Sequence, residues 1–316
     1  MPAQALTPGR KYRIGWLGYT ATNTAEDERV IAAFKQRLRE LGLVEGSNLL
    51  IIWRYAEGRM ERYDDFAAEM LRLGVDLIVA TSNPPALAVM RVSRGIPIVH
   101  IAATDPVRDG LAASLARPGG QNTGIASLTA DLSLKRIELL KAAIPLAKRV
   151  AIARCPVCAM ASGTNAAQVA SFYESQDAAA RALGVTLVSL ELNSAAEFDA
   201  ADAVLRRERP DALLLGANPV NIALRGQWLA VAATLRLPTF GSTPRSGWML
   251  SYGPDWSAIL RRSAEIIASI LDGAKPGDLP MEQPTVFEFV IDLRIAKTLG
   301  LTIPQSVRLR ATDVIE

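Results

Sequence analysis

The sequence predicts an α/β protein of two doubly wound, Rossmann-like lobes joined by a hinge. Three features carry that expectation. Short apolar runs alternate with amphipathic stretches of helical period, each apolar run empties into small polar residues, and the alternation starts afresh after a glycine-rich crossing near residue 120. Alternating βα units form parallel sheets, and a restart argues for two similar lobes facing one cleft. The 316 residues, half of them apolar, suffice for two cores of ordinary size.

In order, strands are expected at 13–17, 49–55, 76–80, 96–102 and 122–127, with helices at 27–41, 60–73 and from 86 onward. Val30, Ile31, Phe34, Leu38 and Leu41 carry the helical spacing of the first helix, and Gly42 and Gly74 close the first two. The run 96–102 lacks alternation, as suits a parallel strand covered on both faces. Thr104, Asp105 and Pro106 stop it, and Asp105 is placed to cap a helix over 107–115. The second series has strands at 149–153, 186–191, 211–216 and 238–240, with helices at 133–143, 168–183, 195–208 and 220–235. The tail adds extended segments at 249–252 and 286–291 and helices at 258–271 and 293–299. This predicts a first lobe over 11–127, a second over 128–250, and a return of 251–316 to the first lobe, with 302–316 as an outer strap across the hinge.

Composition excludes several functions. Thirty-five basic and 32 acidic residues give a net charge of +3 without long charge runs, so nucleic acid is not an expected partner. The single histidine, His100, lies within an apolar strand and reads as a core residue, which excludes a His-cluster metal site. Gly15-Trp16-Leu17-Gly18-Tyr19-Thr20 lacks the third glycine of a dinucleotide fingerprint, and neither a P-loop nor a G-x-S-x-G elbow is present. No enzyme activity, cofactor or metal is expected. Cys155 and Cys158, in RCPVCAM, read as structural or incidental, with a disulfide open to them in an oxidising compartment. No segment has the apolar length of a transmembrane helix, and MPAQALTPGRKYRIG lacks a signal-peptide h-region, although Ala3-Gln4-Ala5 resembles the small-residue end of a cleavage site.

The segments AEGRMERYDDFAAEMLRLGVDLIVA, IPIVHIAATDPV, GLAASLARPGGQNTG, LKRIELLK, MLSYGPD and MEQPTVFEFVIDLRIAKTLGLTIP resemble, in order and over nearly the whole chain, the ABC-transporter solute-binding proteins of the tryptophan and tyrosine uptake group. The resemblance implies a type I periplasmic-binding-protein fold, a monomer outside the cytoplasm that closes on a small solute and delivers it to an ABC permease in the membrane. RCPVCA departs from the asparagine- and proline-rich loop usual there, which alters the second-lobe wall. A ligand-sensing receptor domain of a regulatory system is the alternative use of the same fold, but no helix-turn-helix precedes Arg13.

Ligands of open α/β sheets collect outside the carboxyl ends of strands. The candidate binding residues are therefore Tyr19, Thr20, Ser82, Asn83, Thr104 and Asp105 in the first lobe, and Cys155, Asn218, Thr243 and Tyr252 in the second. The expected solute is a small carboxylate, an amino acid or aromatic acid, held in the interlobe cleft. Its carboxylate would lie near Ser82 and Asn83, at a helix start, and an ammonium would lie near Asp105. Tyr19 is the best-placed stacking face, whereas Trp16, Trp53 and Trp248 read as core packing.

Overall fold

The computed structural model describes residues 7, 9–21, 24–93, 95–126, 129–160 and 165–316, with backbone alone at 129–131. Ala3-Gln4-Ala5 and Ser127 lie outside the described residues. The first series is β1 (Tyr12–Gly18), α1 (Ala25–Glu40), β2 (Leu49–Tyr55), α2 (Arg62–Arg72), β3 (Leu77–Ala80), α3 (Asn83–Val92), β4 (Ile98–Ala103) and β5 (Asn122–Ala126). The second is α4 (Thr129–Ala143), β6 (Arg149–Arg154), α5 (Pro156–Met160), α6 (Ala166–Ala182), β7 (Thr186–Glu191), α7 (Phe198–Glu208), β8 (Ala212–Leu215), α8 (Pro219–Ala223), α9 (Arg225–Leu235), β9 (Thr239–Gly241) and β10 (Leu250–Pro254). Then come α10 (Trp256–Leu271), β11 (Met281–Glu282), β12 (Phe287–Asp292), α11 (Leu293–Thr298), α12 (Gln305–Arg308) and β13 (Asp313–Ile315).

The strands form two sheets, ordered β11-β5-β4-β3-β1-β2 and β13-β12-β10-β9-β8-β6-β7. Within each series the strand order is second, first, third, fourth, fifth, the doubly wound arrangement expected from the restart. The first sheet is parallel throughout. In the second, β12 runs antiparallel to β10 and β13 parallel to β12.

The chain divides into two compact units, 1–128 with 256–285 and 129–255 with 286–316. The tail thus splits where a single return to the first lobe was expected. Helix α10 goes to the first unit because its apolar face, including Ile259, Ile266, Ile267 and Ile270, completes the core around Phe34, Leu38 and Val99. An Arg37–Glu265 ion pair at 2.8 Å joins α1 to α10. Strand β12 stays with the second unit because Phe289 and Ile291 bury against Phe240, Met249 and Leu250. The expected strap over 302–316 is instead part of this unit, where β13 extends the sheet and Arg245 reaches Asp313 at 3.2 Å.

Two helices differ from expectation. No helix forms over 107–115. Backbone bonds from Asp109 to Asp105 and from Leu111 and Ala112 to Pro106 make a single turn, which Gly110, with φ of +71°, takes out of helical conformation. The expected helix 220–235 is divided at Leu224 into α8 and α9. His100 is the predicted core histidine, fully buried on β4. Opposite it, Gly124 is required by close approach, since a Cβ there would lie 2.2 Å from the His100 carbonyl oxygen. The ARPGG turn has a comparable partner: Gly119 N–H donates to the Gly277 carbonyl at 3.1 Å, so the returning segment is packed onto it.

Candidate ligand-binding site

In the first unit the strand order reverses about β1, so the loops after β1 and β3 flank the switch point. The loop after β1 is braced from both sides. Ala56 N–H donates to the Gly18 carbonyl at 3.0 Å, Tyr63 Oη to the same oxygen at 3.1 Å, and Thr81 N–H to the Leu17 carbonyl at 3.1 Å. The half-buried Tyr19 ring meets Tyr63 edge-on, with centroids 6.4 Å apart. Burial pushes the Tyr19 phenol up to about 12, and Ser82 beside it pulls the other way. The buried Ser82 Oγ nevertheless closes no hydrogen bond of normal geometry. Thr20 is half-buried next to Tyr19.

Asn83 spends its side chain inside the protein. It is 0% exposed; Oδ1 accepts from Thr104 N–H at 3.0 Å and Nδ2 donates to Asp109 Oδ2. The amide therefore locks the end of β4 to the start of α3. Pro84 and Pro85 also remove two of the N–H groups that a helix start normally offers. Asp109 completes the cluster: burial pushes its carboxyl up, opposed by Arg108, whose Nε lies 2.8 Å from Oδ1, and by Asn83. Thr104 is exposed. Asp105 caps a turn, not a helix. Its Oδ1 accepts from Arg108 N–H at 3.1 Å, and its half-exposed carboxylate lies 3.7 Å from the Arg108 guanidinium. Tyr19, Ser82, Asn83 and Thr104 are thus brought together.

In the second unit the corresponding loops follow β6 and β8. Cys155 and Cys158 are joined as a disulfide, so Cys155 offers no thiol. Just before it, the buried Arg154 donates to Asp177 Oδ1 at 2.5 Å and to Gln176 Oε1 at 3.0 Å, with its guanidinium over the Tyr173 ring. Asn218 caps α8, accepting from Asn221 N–H at 2.8 Å, and the buried Asn221 amide donates to the Ala153 and Gly216 carbonyls at 3.2 Å each. Thr243 is half-buried in the loop after β9. Trp16 and Trp248 are buried, and Trp53 stacks on Tyr55 at the edge strand, with centroids 6.3 Å apart.

Tyr252 lies on β10 itself and stacks on Phe287 with centroids 5.9 Å apart. Its carbonyl accepts from Arg136 Nε at 2.8 Å. Arg136 is 2% exposed; burial pulls its pKa down to about 10, with Tyr252 opposing. Sequence reasoning missed Asp109, Asn221 and Arg136. The signal for Arg136 was positional: it stands at i+4 between Leu132 and Leu140, on the face that α4 buries.

Known proteins resemble this arrangement. The family model of the ABC transporter substrate binding protein matches residues 25–315. A tyrosine-binding protein of Clostridioides difficile (strain R20291) is 26% identical over 272 residues, which is 85% of this chain and 75% of that protein. Among solved structures, an ABC domain in complex with L-Trp from Streptococcus pneumonia superposes with a TM-score of 0.82 at 23% identity, covering 96% of this chain and all of that one. A conserved domain protein from Vibrio cholerae gives 0.81 at 26% identity, with the same coverage. The fold is that of a type I periplasmic binding protein, and the chain belongs to the family of ABC transporter substrate-binding proteins.

Proposed function

We propose that this protein is the extracytoplasmic solute-binding component of an ABC importer, and that its solute is a small carboxylate, with an aromatic amino acid first in rank. The observation that carries the reading is the family match over 25–315. The name of the 26% identical relative, tyrosine-binding, and the L-Trp complex of the S. pneumonia structure support the aromatic class. The Cys155–Cys158 disulfide suits an oxidising compartment. The protein does no chemistry on its solute. Binding shifts an equilibrium toward a closed form through contacts made only there, and the permease recognises that form.

A thermal-shift panel of L-tyrosine, L-tryptophan, L-phenylalanine, L-leucine and aromatic acids tests it. A ligand at a hundred times its dissociation constant stabilises by about 2.7 kcal/mol, which raises the melting temperature by roughly 4 °C in a protein of this size. Shifts for the aromatic amino acids above those for leucine are expected. Turnover of any bound solute, or no shift across the panel, overturns the proposal.

A further inference from the structure

A buried arginine without a countercharge is expensive, because guanidinium does not surrender its proton and loses much of its hydration on burial. Arg136 is in that position. Its Nε is held by the Tyr252 carbonyl at 2.8 Å. Among the described residues no carboxylate pairs with it, and no acceptor meets the four N–H groups on Nη1 and Nη2. The residue is 2% exposed, and its Nη atoms are not among the fully enclosed unpartnered atoms, so the small opening that remains lies at the Nη edge. Leucine or methionine at this position would continue the Leu132–Leu140 stripe of α4 without that penalty. The single bond to Tyr252 sets the plane of the guanidinium and leaves its Nη edge unused, the edge whose two parallel N–H groups match a carboxylate. Among the described residues the charge therefore gains one carbonyl and no acid in return for its burial.

We infer that Arg136 is the carboxylate receptor of the second unit, taking the anionic end of a flat monocarboxylate beside the Tyr252–Phe287 aromatic pair. The inference rests on the small-carboxylate reading above and adds to it a residue, a charge and an orientation. Tyr252 and Phe287 are both half-buried, so each retains surface that a planar ligand can cover. In the first unit, by contrast, the Asn83 amide is consumed internally and two prolines remove donors from the helix start, so these groups are poorly suited to receive a carboxylate.

The test is calorimetry and thermal shift on wild type and Arg136→Met, with L-tyrosine, L-tryptophan, their carboxamides and benzoate as probes. Removing one partner of a desolvated charge pair is expected to weaken binding of the acids by roughly thirtyfold to several thousandfold. Wild type is expected to reject the carboxamides to a similar degree, a comparison that needs no variant. Arg136→Met without ligand is expected to melt at or above the wild-type temperature, whereas an arginine with a purely structural role would leave the variant melting lower. Equal binding of acids and carboxamides by wild type overturns the inference and leaves the amino-acid reading standing. If benzoate stabilises wild type and not Arg136→Met while neither amino acid binds, the receptor stands and the amino-acid reading falls. If no probe binds wild type, both fall.

Discussion

Two arginines of the second unit, Arg154 and Arg136, are buried to nearly the same degree and are treated in opposite ways. Arg154, at the end of β6, has Asp177 at 2.5 Å, Gln176 at 3.0 Å and the Tyr173 ring 4.6 Å beneath its guanidinium. Arg136, on α4, has one carbonyl. A charge neutralised by an acid of its own unit reads as architecture even though Arg154 Nε is left without a partner, since the acid needs no visitor. A charge left without an acid, as Arg136 is among the described residues, reads as a receptor. The difference lies in the surroundings of the side chains, because the residue type and burial are shared.

The comparison is broken most directly at Asp177. Asp177→Ala leaves the guanidinium of Arg154 buried without its acid, and loss of one partner of a buried pair typically costs about 3–5 kcal/mol. Asp177 is itself 32% exposed on its side chain, so water can enter in its place and the low end, about 3 kcal/mol, is expected in urea denaturation. Adding Arg154→Met to Asp177→Ala should recover most of that loss. If the single and double variants were equally unstable, Arg154 would not be an internally balanced charge.

His100 sharpens the contrast, because a histidine has an escape that arginine lacks. It is fully buried, Nε2 donates to Asn122 Oδ1 at 2.9 Å, and Nδ1 has no partner. Burial pulls its pKa from 6.5 down to about 4, with Asn122 opposing. The folded state therefore keeps the neutral ring while the unfolded chain takes up a proton below pH 6.5. Its contribution is complete above pH 6.5 and is lost as the pH falls to about 4. A separation of this size corresponds to about 3 kcal/mol as an upper figure. Urea denaturation of wild type and His100→Gln at pH 7, 5.5 and 4 should show the wild-type advantage shrinking with acidity. Taking the difference removes the opposite trend from Asp109, whose raised carboxyl pKa favours the folded state in acid. A pH-independent difference would mean that His100 titrates alike in both states.

What the sequence made legible follows the same division between local and spatial information. The βα alternation and the restart are local, and the strand orders about β1 and β6 agree with them. The fate of the tail is spatial. FEFVID is an apolar strand in either lobe, and only the fit of Phe289 and Ile291 against Phe240 and Met249 assigns it to the second. The helix over 107–115 failed on two residues, Gly110, which leaves helical conformation, and Asp109, whose side chain turns inward to Asn83. Among the candidate site residues, strand-end positions were readable but availability was not. Asn83 and Asn218 both stand beside a proline at a helix start, yet one is consumed across strands and the other caps its own helix. Arg136 was hidden by its type, since an arginine in LKRIELLK reads as solvated until the helix is packed.

The smallest effect is expected at Asp105. Its side chain is 47% exposed and its carboxylate faces Arg108 at 3.7 Å, a surface pair of the kind worth about 0–1 kcal/mol. The Oδ1 that accepts from Arg108 N–H at 3.1 Å is retained by asparagine, and asparagine caps as well as aspartate. Asp105→Asn should therefore change stability by less than about 0.5 kcal/mol. The charge is the only thing removed, so binding of L-tyrosine reports on the ammonium alone. If the ammonium meets Asp105 in a hydrated loop, the loss of affinity stays under about fivefold, matching a surface pair. A loss of thirtyfold or more would instead require a desolvated ion pair. Asp105 would then be a desolvated receptor for the ammonium and not only the cap of a turn.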